Sequence, residues 1–247
     1  MHCLWSKWSP PYERSQLATF AFSGSYIGSL VALSLGGLIA EHINWQAIFY
    51  LFGSFGVLWS VLWFIYIFES PANHAKIHIE ERLYIESSLV KSPLNSTSIP
   101  WKLILTSAPV WAIVFAHFSE NWSFYTFLTE MPTFLSETIH YKIDKAGLIS
   151  SLPYLLMAIM LYSAGYFSDY LLKTNKLSYT IVRKIFCCSG LIAQSFFMII
   201  MALTTNKLIL IICINLSVGF GGLPWSSFGV NHLDIGAGYG NFFFLKE

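Results

Sequence analysis

Charge is what this sequence has least of. Asp, Glu, Lys and Arg make up 11% of its 247 residues, less than half of the roughly 25% usual in a soluble domain. So small a polar supply cannot cover a globular surface, which excludes an ordinary soluble fold. The balance of 14 basic against 13 acidic residues leaves a net charge of +1, so there is no basic footprint for nucleic acid. Cysteine is sparse as well. Cys3, Cys187, Cys188 and Cys213 show no metal-ligand spacing, and three of them fall in apolar runs, where they read as small packing residues. The first 16 residues hold no apolar h-region, so they do not read as a cleavable signal peptide. No nucleophile–base pair, phosphate loop or metal motif stands out, so neither an enzyme activity nor a cofactor is expected. Sequons occur at Asn95, Asn121 and Asn215. Two lie inside apolar runs and the third in a loop placed in the cytosol below, so none is an expected glycosylation site.

Apolar surface is what the chain does have. Hydrophobic residues reach 55% and the mean hydropathy is +0.58. Nine Trp, 13 Tyr and 21 Phe suit aromatic belts at two membrane interfaces. A bilayer core about 30 Å thick takes about 20 apolar residues as helix. Six stretches qualify, near 17–40, 46–68, 103–129, 147–168, 185–206 and 208–230. Barrel strands would alternate polar and apolar, and these runs are apolar on all sides. With backbone groups to satisfy inside lipid, the expectation is an all-α multi-pass membrane protein with the lipid bilayer as its partner.

Lysine and arginine in the loops set the orientation. Loops 1–16, 69–102 and 169–184 hold ten of them, and the opposite loops 41–45, 130–146 and 204–207 hold three. The first set is therefore expected in the cytosol. The 69–102 loop separates two spans from four, and its middle, IEERLYIESSL, has the pattern of a short amphipathic surface helix. In the first span Gly24, Gly28, Ala32, Gly36 and Ala40 stand four apart, a small-residue ridge on which another helix can pack closely. Pro109, Pro153 and Pro224 lie in or near spans, where they can kink helices.

The third run, 103–129, holds one formal charge in 27 residues, Glu120, and carries His117 one turn earlier. At the helical step of about 100° per residue, His117, Glu120, Asn121, Phe124 and Tyr125 fall on one face about 140° wide. Val114, Phe115 and Phe118 are assigned to the opposite side. A charge near a helix centre costs about 2.5–3.5 kcal/mol on the insertion scale, so a span that keeps one faces water or a polar partner. Histidine titrates near neutrality and a carboxyl in a poorly hydrated cavity holds its proton. Two readings stay open: a substrate and proton site, or an interhelical hydrogen-bond patch. Elsewhere Ser23 and Ser25 can bond backbone carbonyls. Asp169, in GYFSDYLLK, is a helix cap or a cytosolic gate latch. NHLD, with Asn231 and Asp234, is a gate or a plain helix end.

Several segments in one order resemble a known family. WSKWSPPYERS (5–15), NWQAIFYLFGSFGVLW (44–59), ESPANH (69–74), IPWKLILTSAPVWAIVFAHFSENWSFYTFLTEMP (99–132), SSLPYL (150–155) and NHLD (231–234) are similar to solute carrier family 17. That is the anion-transporter branch of the major facilitator superfamily, which includes sialin, vesicular glutamate transporters and sodium/phosphate cotransporters. AHFSENWSFYTFLT resembles the sialin type most. The resemblance implies a twelve-helix fold of two halves with its site near the midplane. The six spans here would be helices five to ten. Residues 1–68 would end the N-terminal bundle, 69–102 would link the bundles in the cytosol, 103–235 would begin the C-terminal bundle, and 236–247 departs from the family pattern.

By the same resemblance, a small anion would move with a proton or sodium as coupling ion. The implied substrate residues are His117, Asn121, Tyr125, Phe22 and Ser23. His117 and Glu120 would couple the proton, and Asp169, Asn231 and Asp234 would gate. Phe22 stands where sialin has a tyrosine. Glu120 stands where the glutamate transporters have an arginine, which argues against glutamate as substrate. The implied location is a lysosomal, vesicular or plasma membrane. The family's first four and last two helices have no counterpart, so the sequence is expected to be a fragment, and the alternative is a truncated, non-transporting membrane protein.

Overall fold

The computed structural model describes residues 4, 7–10, 13–74, 76–89, 101–174, 177–229 and 231. Among them the long elements are helices and none is a strand: α1 (Arg14–His42), α2 (Trp45–Tyr66), α3 (Ile79–Ser88), α4 (Trp101–Thr106), α5 (Ala108–Glu137), α6 (Ile143–Lys173), α7 (Tyr179–Leu203), α8 (Lys207–Phe220) and α9 (Gly222–Trp225). Five helical units are long and apolar enough to cross a membrane: α1, α2, α6, α7 and the unit from Lys207 to Trp225.

α5 is long enough at 30 residues but is not among those five. His117, Glu120 and Asn121 dilute its hydropathy. The expected run 103–129 is also redrawn. It breaks at Ser107, where α4 stops, and then continues through Pro132 to Glu137. Pro109 does not kink it, because it lies in the first turn, where a missing N–H is no loss. The last expected span, 208–230, breaks at Gly221 into α8 and α9. The loop helix is present as α3. Glu80 and Glu81 occupy its first turn, Arg82 Nε pairs with Glu86 at 2.9 Å, and Ile85 is buried.

α6 is the central helix. Gly147, Ser151, Tyr154, Ala158, Leu161, Gly165 and Ser168 recur along it at three- and four-residue steps and are all buried. Its largest partner is α1. At Gly147 an added Cβ would lie 2.7 Å from the Leu33 carbonyl oxygen and 3.2 Å from Gly37 Cα, so the two backbones touch there. Nearby, Ser34 Oγ donates to Ser151 Oγ at 2.8 Å. Further along, Gly165 leaves room for the Thr19 side chain, and Tyr26 packs in a cluster with Tyr154, Met157, Ala158 and Leu161.

This seam uses another face of α1 than the small-residue ridge. At Gly24, Gly28 and Gly36 an added Cβ meets nothing within 4 Å among the described residues. The contact face of α1 is instead Thr19, Tyr26, Leu33, Ser34 and Gly37. The small residues that permit close approach come mainly from α6, and α1 supplies the side chains that fill them. α2 has no buried residue, and its rings project outward, Phe64 at 90% exposure. This suits lipid or another helix.

At the α3 end of the molecule polar side chains tie the elements together. Asp169 at the foot of α6 is buried, and its Oδ2 accepts the backbone N–H of Gln16 in the first turn of α1 at 2.7 Å. A carboxylate at a helix N-terminus meets both free N–H groups and the positive end of the helix dipole. Asp169 is therefore no solvated cap of its own helix. Beside it, Arg183 donates to Ser168 Oγ and to the Ser226 carbonyl, both at 3.0 Å. Glu13 accepts from Tyr84 Oη at 3.1 Å and pairs with Lys173 at 3.8 Å, which links α3 to the start of α1 and the end of α6. Lys7 hydrogen-bonds Glu69 and holds its carboxyl below the usual carboxylate range.

Gly147→Leu overpacks the α1–α6 contact and is expected to cost about 1–3 kcal/mol in equilibrium unfolding in mixed micelles. Gly28→Leu is expected to change stability by less than about 0.5 kcal/mol; equal losses for the two would show that the seam is misplaced. Asp169→Ala is expected to cost about 1.5–3 kcal/mol in the same measurement, the worth of a hydrogen bond to a charged group.

Candidate functional site

α5 begins after Ser107, with Pro109 setting its first turn. From there its helical step distributes the polar residues of AHFSENWSFY, and the structure sorts them onto two sides. His117, Asn121 and Tyr125 open onto a groove of about 680 Å³ that Val114, Phe118, Trp122, Thr126, Thr129 and Glu130 also line. Val114 and Phe118, assigned above to the opposite side, thus share the face of His117. They lie three residues before it and one after, and a broad groove takes in both.

Glu120 leaves that face. It is 1% exposed and points into the bundle, against Gly221, where an added Cβ would lie 2.5 Å from its Oε1. The second glycine of the α8–α9 break is tight on another side, with an added Cβ at Gly222 2.6 Å from the Met157 carbonyl oxygen. Gln194 of α7 is next to the same joint. Its Nε2 donates to Ser123 Oγ at 2.9 Å, and its backbone carbonyl accepts from Ser217 Oγ at 3.1 Å. So α5, α7 and α8 share a small polar core that excludes His117.

His117 is held by aromatic rings. Its centroid is 5.3 Å from Trp225 at 76°, edge to face, and 5.1 Å from Phe228 at 33°. Trp225 and Phe228 are 5.0 Å apart, and Trp225 reaches Phe22 of α1 at 6.1 Å. The imidazole is packed on one side and open to the groove on the other. Such an arrangement fixes the ring while leaving it free to meet a ligand or a proton.

The other expected residues fall as follows. Phe22 is half-buried and joins this aromatic cluster. Ser23 is buried and donates to the Phe20 carbonyl of its own helix at 2.6 Å. Asn121 Nδ2 donates to the His117 carbonyl at 2.8 Å, which leaves its side-chain oxygen on the groove side. Tyr125 is 58% exposed. Asn231 is half-buried, with its backbone N–H on the Ser227 carbonyl at 3.0 Å, away from the groove residues. Asp234 and Cys3 lie outside the described residues. Cys213 is buried, Cys187 half-buried and Cys188 exposed. Among the described residues no three His, Cys, Asp or Glu side chains gather closely enough to hold a metal ion.

Residue-by-residue reasoning missed Trp225, Phe228 and Gln194. A usable signal was present in GFGGLPW, where three glycines and a proline mark a helix break that swings a tryptophan inward. Gln194 had none, since one amide in an apolar helix reads as an isolated polar point.

Helix order, break and groove can be set against known proteins. A vesicular glutamate transporter 2.2 of Danio rerio is 41% identical over 243 residues, covering 96% of this chain and 41% of that protein. A probable vesicular glutamate transporter, eat-4 of Caenorhabditis elegans, is 43% identical over 242 residues, covering 97% and 42%. Vesicular glutamate transporter 1 of Bos taurus is 40% identical over 243 residues, covering 96% and 43%. The chain thus spans about two fifths of the length of these relatives. The model of the Major Facilitator Superfamily matches residues 1–243, nearly all of a chain whose long helices, central seam and glycine break have just been described, and on that match the chain belongs to the Major Facilitator Superfamily.

Proposed function

We propose that this chain is part of a secondary active anion carrier of solute carrier family 17, working by alternating access between two helix bundles. The observation that carries the reading is the groove on α5. In a bundle of membrane-length helices, His117, Asn121 and Tyr125 open together on one groove along the face of α5. The imidazole of His117 binds the anion when protonated and passes its proton on when it is not. Asn121 and Tyr125 supply hydrogen bonds, Trp225 backs the imidazole with Phe22 behind it, and Ser23 is a further substrate residue from α1. Glu120 acts from inside the bundle and responds to the proton without touching the substrate. Asp169, seated on the N-terminus of α1, latches the cytosolic side, with Asn231 and Asp234 as further gating residues. The ten-to-three distribution of Lys and Arg puts that latch in the cytosol. In this reading residues 1–68 belong to one bundle, 103–235 to the other, and 69–102 joins them. Helices outside this sequence would cover α2 and the exposed Gly24–Gly28 face.

The substrate is an organic anion of the sialic acid type, carried with protons across a vesicular or lysosomal membrane. A second reading, glutamate, is favoured by the printed names of the relatives. A sodium-driven phosphate carrier would have no need of the imidazole at the groove.

The test is uptake of labelled sialic acid, glutamate and phosphate into proteoliposomes, at acidic and neutral pH, with proton or sodium gradients. His117→Ala is expected to abolish the pH dependence and to weaken apparent affinity roughly ten- to a hundredfold, the loss of one charge-assisted hydrogen bond of about 1.5–3 kcal/mol. pH-dependent uptake that survives His117→Ala removes His117 from the site. No uptake of any anion leaves a non-transporting membrane protein.

A further inference from the structure

Glu120 has a use that the groove does not explain. Both of its carboxylate oxygens are buried and have no hydrogen-bond partner, and among the described residues it forms no ion pair. The titratable groups facing its charge are Tyr26 from α1 and Cys187 from α7. Neither is basic, and His117, one turn away on α5, turns its ring to Trp225 and Phe228. The nearby Gln194 amide is committed to Ser123. An anion without partners in a dry site is costly, so the carboxyl that fits this packing is the neutral acid.

Its position is mechanical. Oε1 rests on Gly221, the one residue between α8 and α9. α9 is a single turn packed through glycines, Gly222 against the α6 backbone and Gly190 of α7 against Pro224, and tied just past its end by Arg183 on the Ser226 carbonyl. In so close a fit, a change of space at Gly221 passes to the turn as a whole. The last residue of that turn is Trp225, whose ring touches His117, Phe22 and Phe228. A displacement at Gly221 therefore reaches the groove within four residues.

We propose that Glu120 is a positioning residue that sets α9 through Gly221: neutral, it holds Trp225 across His117; ionised, it draws water into the joint and moves Trp225 off the imidazole. The device rests on the proton-coupled reading above and gives it a moving part. Proton loss at Glu120 frees the packed side of the His117 ring and proton gain fixes it again, so one buried carboxyl decides how firmly the imidazole is held at the groove.

The experiment is tryptophan emission of the purified 247-residue chain in lipid nanodiscs across pH, with the Trp225→Phe variant subtracted to isolate Trp225. The Trp225 component is expected to follow a single-proton titration. Glu120→Gln, close in shape and always neutral, is expected to hold it at its acidic level. Gly221→Ala, whose Cβ would displace the carboxyl, is expected to hold it at its alkaline level. His117→Gln is expected to keep the titration, which separates the proposal from simple quenching by an imidazolium. Titration that persists in Glu120→Gln, or vanishes in His117→Gln, overturns it; so does Gly221→Ala titrating like the parent. Should Gly221→Ala fail to fold, the Gln variants at 120 and 117 still decide. Uptake plays no part in this readout, so a failed transport assay sinks the carrier reading and leaves this one to its own result.

Discussion

At Gly37 and Gly147 the backbones of α1 and α6 meet with no side chain between them, and the rest of the structure is set by that contact. Apolar helices in a bilayer gain little from burying more apolar surface against one another, so their association depends on close packing and buried hydrogen bonds. α6 provides the small residues at three- and four-residue steps, α1 fills them with Thr19, Tyr26 and Leu33, and the Ser34–Ser151 bond lies inside the seam. With the seam in place, Asp169 falls beneath the first turn of α1, and Tyr26 and Phe22 are carried to the edge of α5 and α9. A shift of α1 along α6 would undo all three.

The polar residues follow a second constraint, that each needs a partner, a route to water or a neutral form. Asp169 finds a backbone N–H, and Arg183 finds Ser168 and the Ser226 carbonyl. His117, Asn121 and Tyr125 find the groove. Glu120 has neither partner nor route to water among the described residues and is left with the neutral form, resting on a glycine where α8 gives way to α9. Three residues separate His117 from Glu120 in the chain, yet they belong to different surroundings. A functional account of α5 has to treat them as two sites joined by a third element, α9.

Much of this was legible in the residues, and the parts that were not have a common cause. Apolar run length placed α1, α2, α6 and α7, because the length of a span is set by the bilayer and needs no knowledge of neighbours, while it missed the breaks at Ser107 and Gly221. The amphipathic IEERLYIESSL helix was readable for the same local reason. The ridge Gly24, Gly28, Gly36 was read as a packing face because small residues permit contact, but permission does not choose a partner, and α6 met the neighbouring face. The face of α5 was drawn too wide on one edge and too narrow on the other. Spacing gives the direction of a side chain, while Gly221 decides that Glu120 turns inward and the groove's breadth brings in Val114 and Phe118. The break at Gly221 was visible as composition and invisible as consequence, since Trp225 gains its role only when Phe22 and His117 arrive from distant parts of the chain.

The low hydropathy of α5 bears on how such a chain is built. On the insertion scale a mid-helix carboxylate is unfavourable by about 2.5–3.5 kcal/mol, and α5 adds a histidine and an asparagine to it. The helices that would offset this, α6, α7 and the α8–α9 unit, all come later in the sequence. During synthesis α5 is therefore the segment least able to partition into lipid by itself. Its residence in the bilayer is a collective property, secured once the following helices arrive to shelter Glu120, and biogenesis has to keep α5 waiting at the translocon for the helices that follow it.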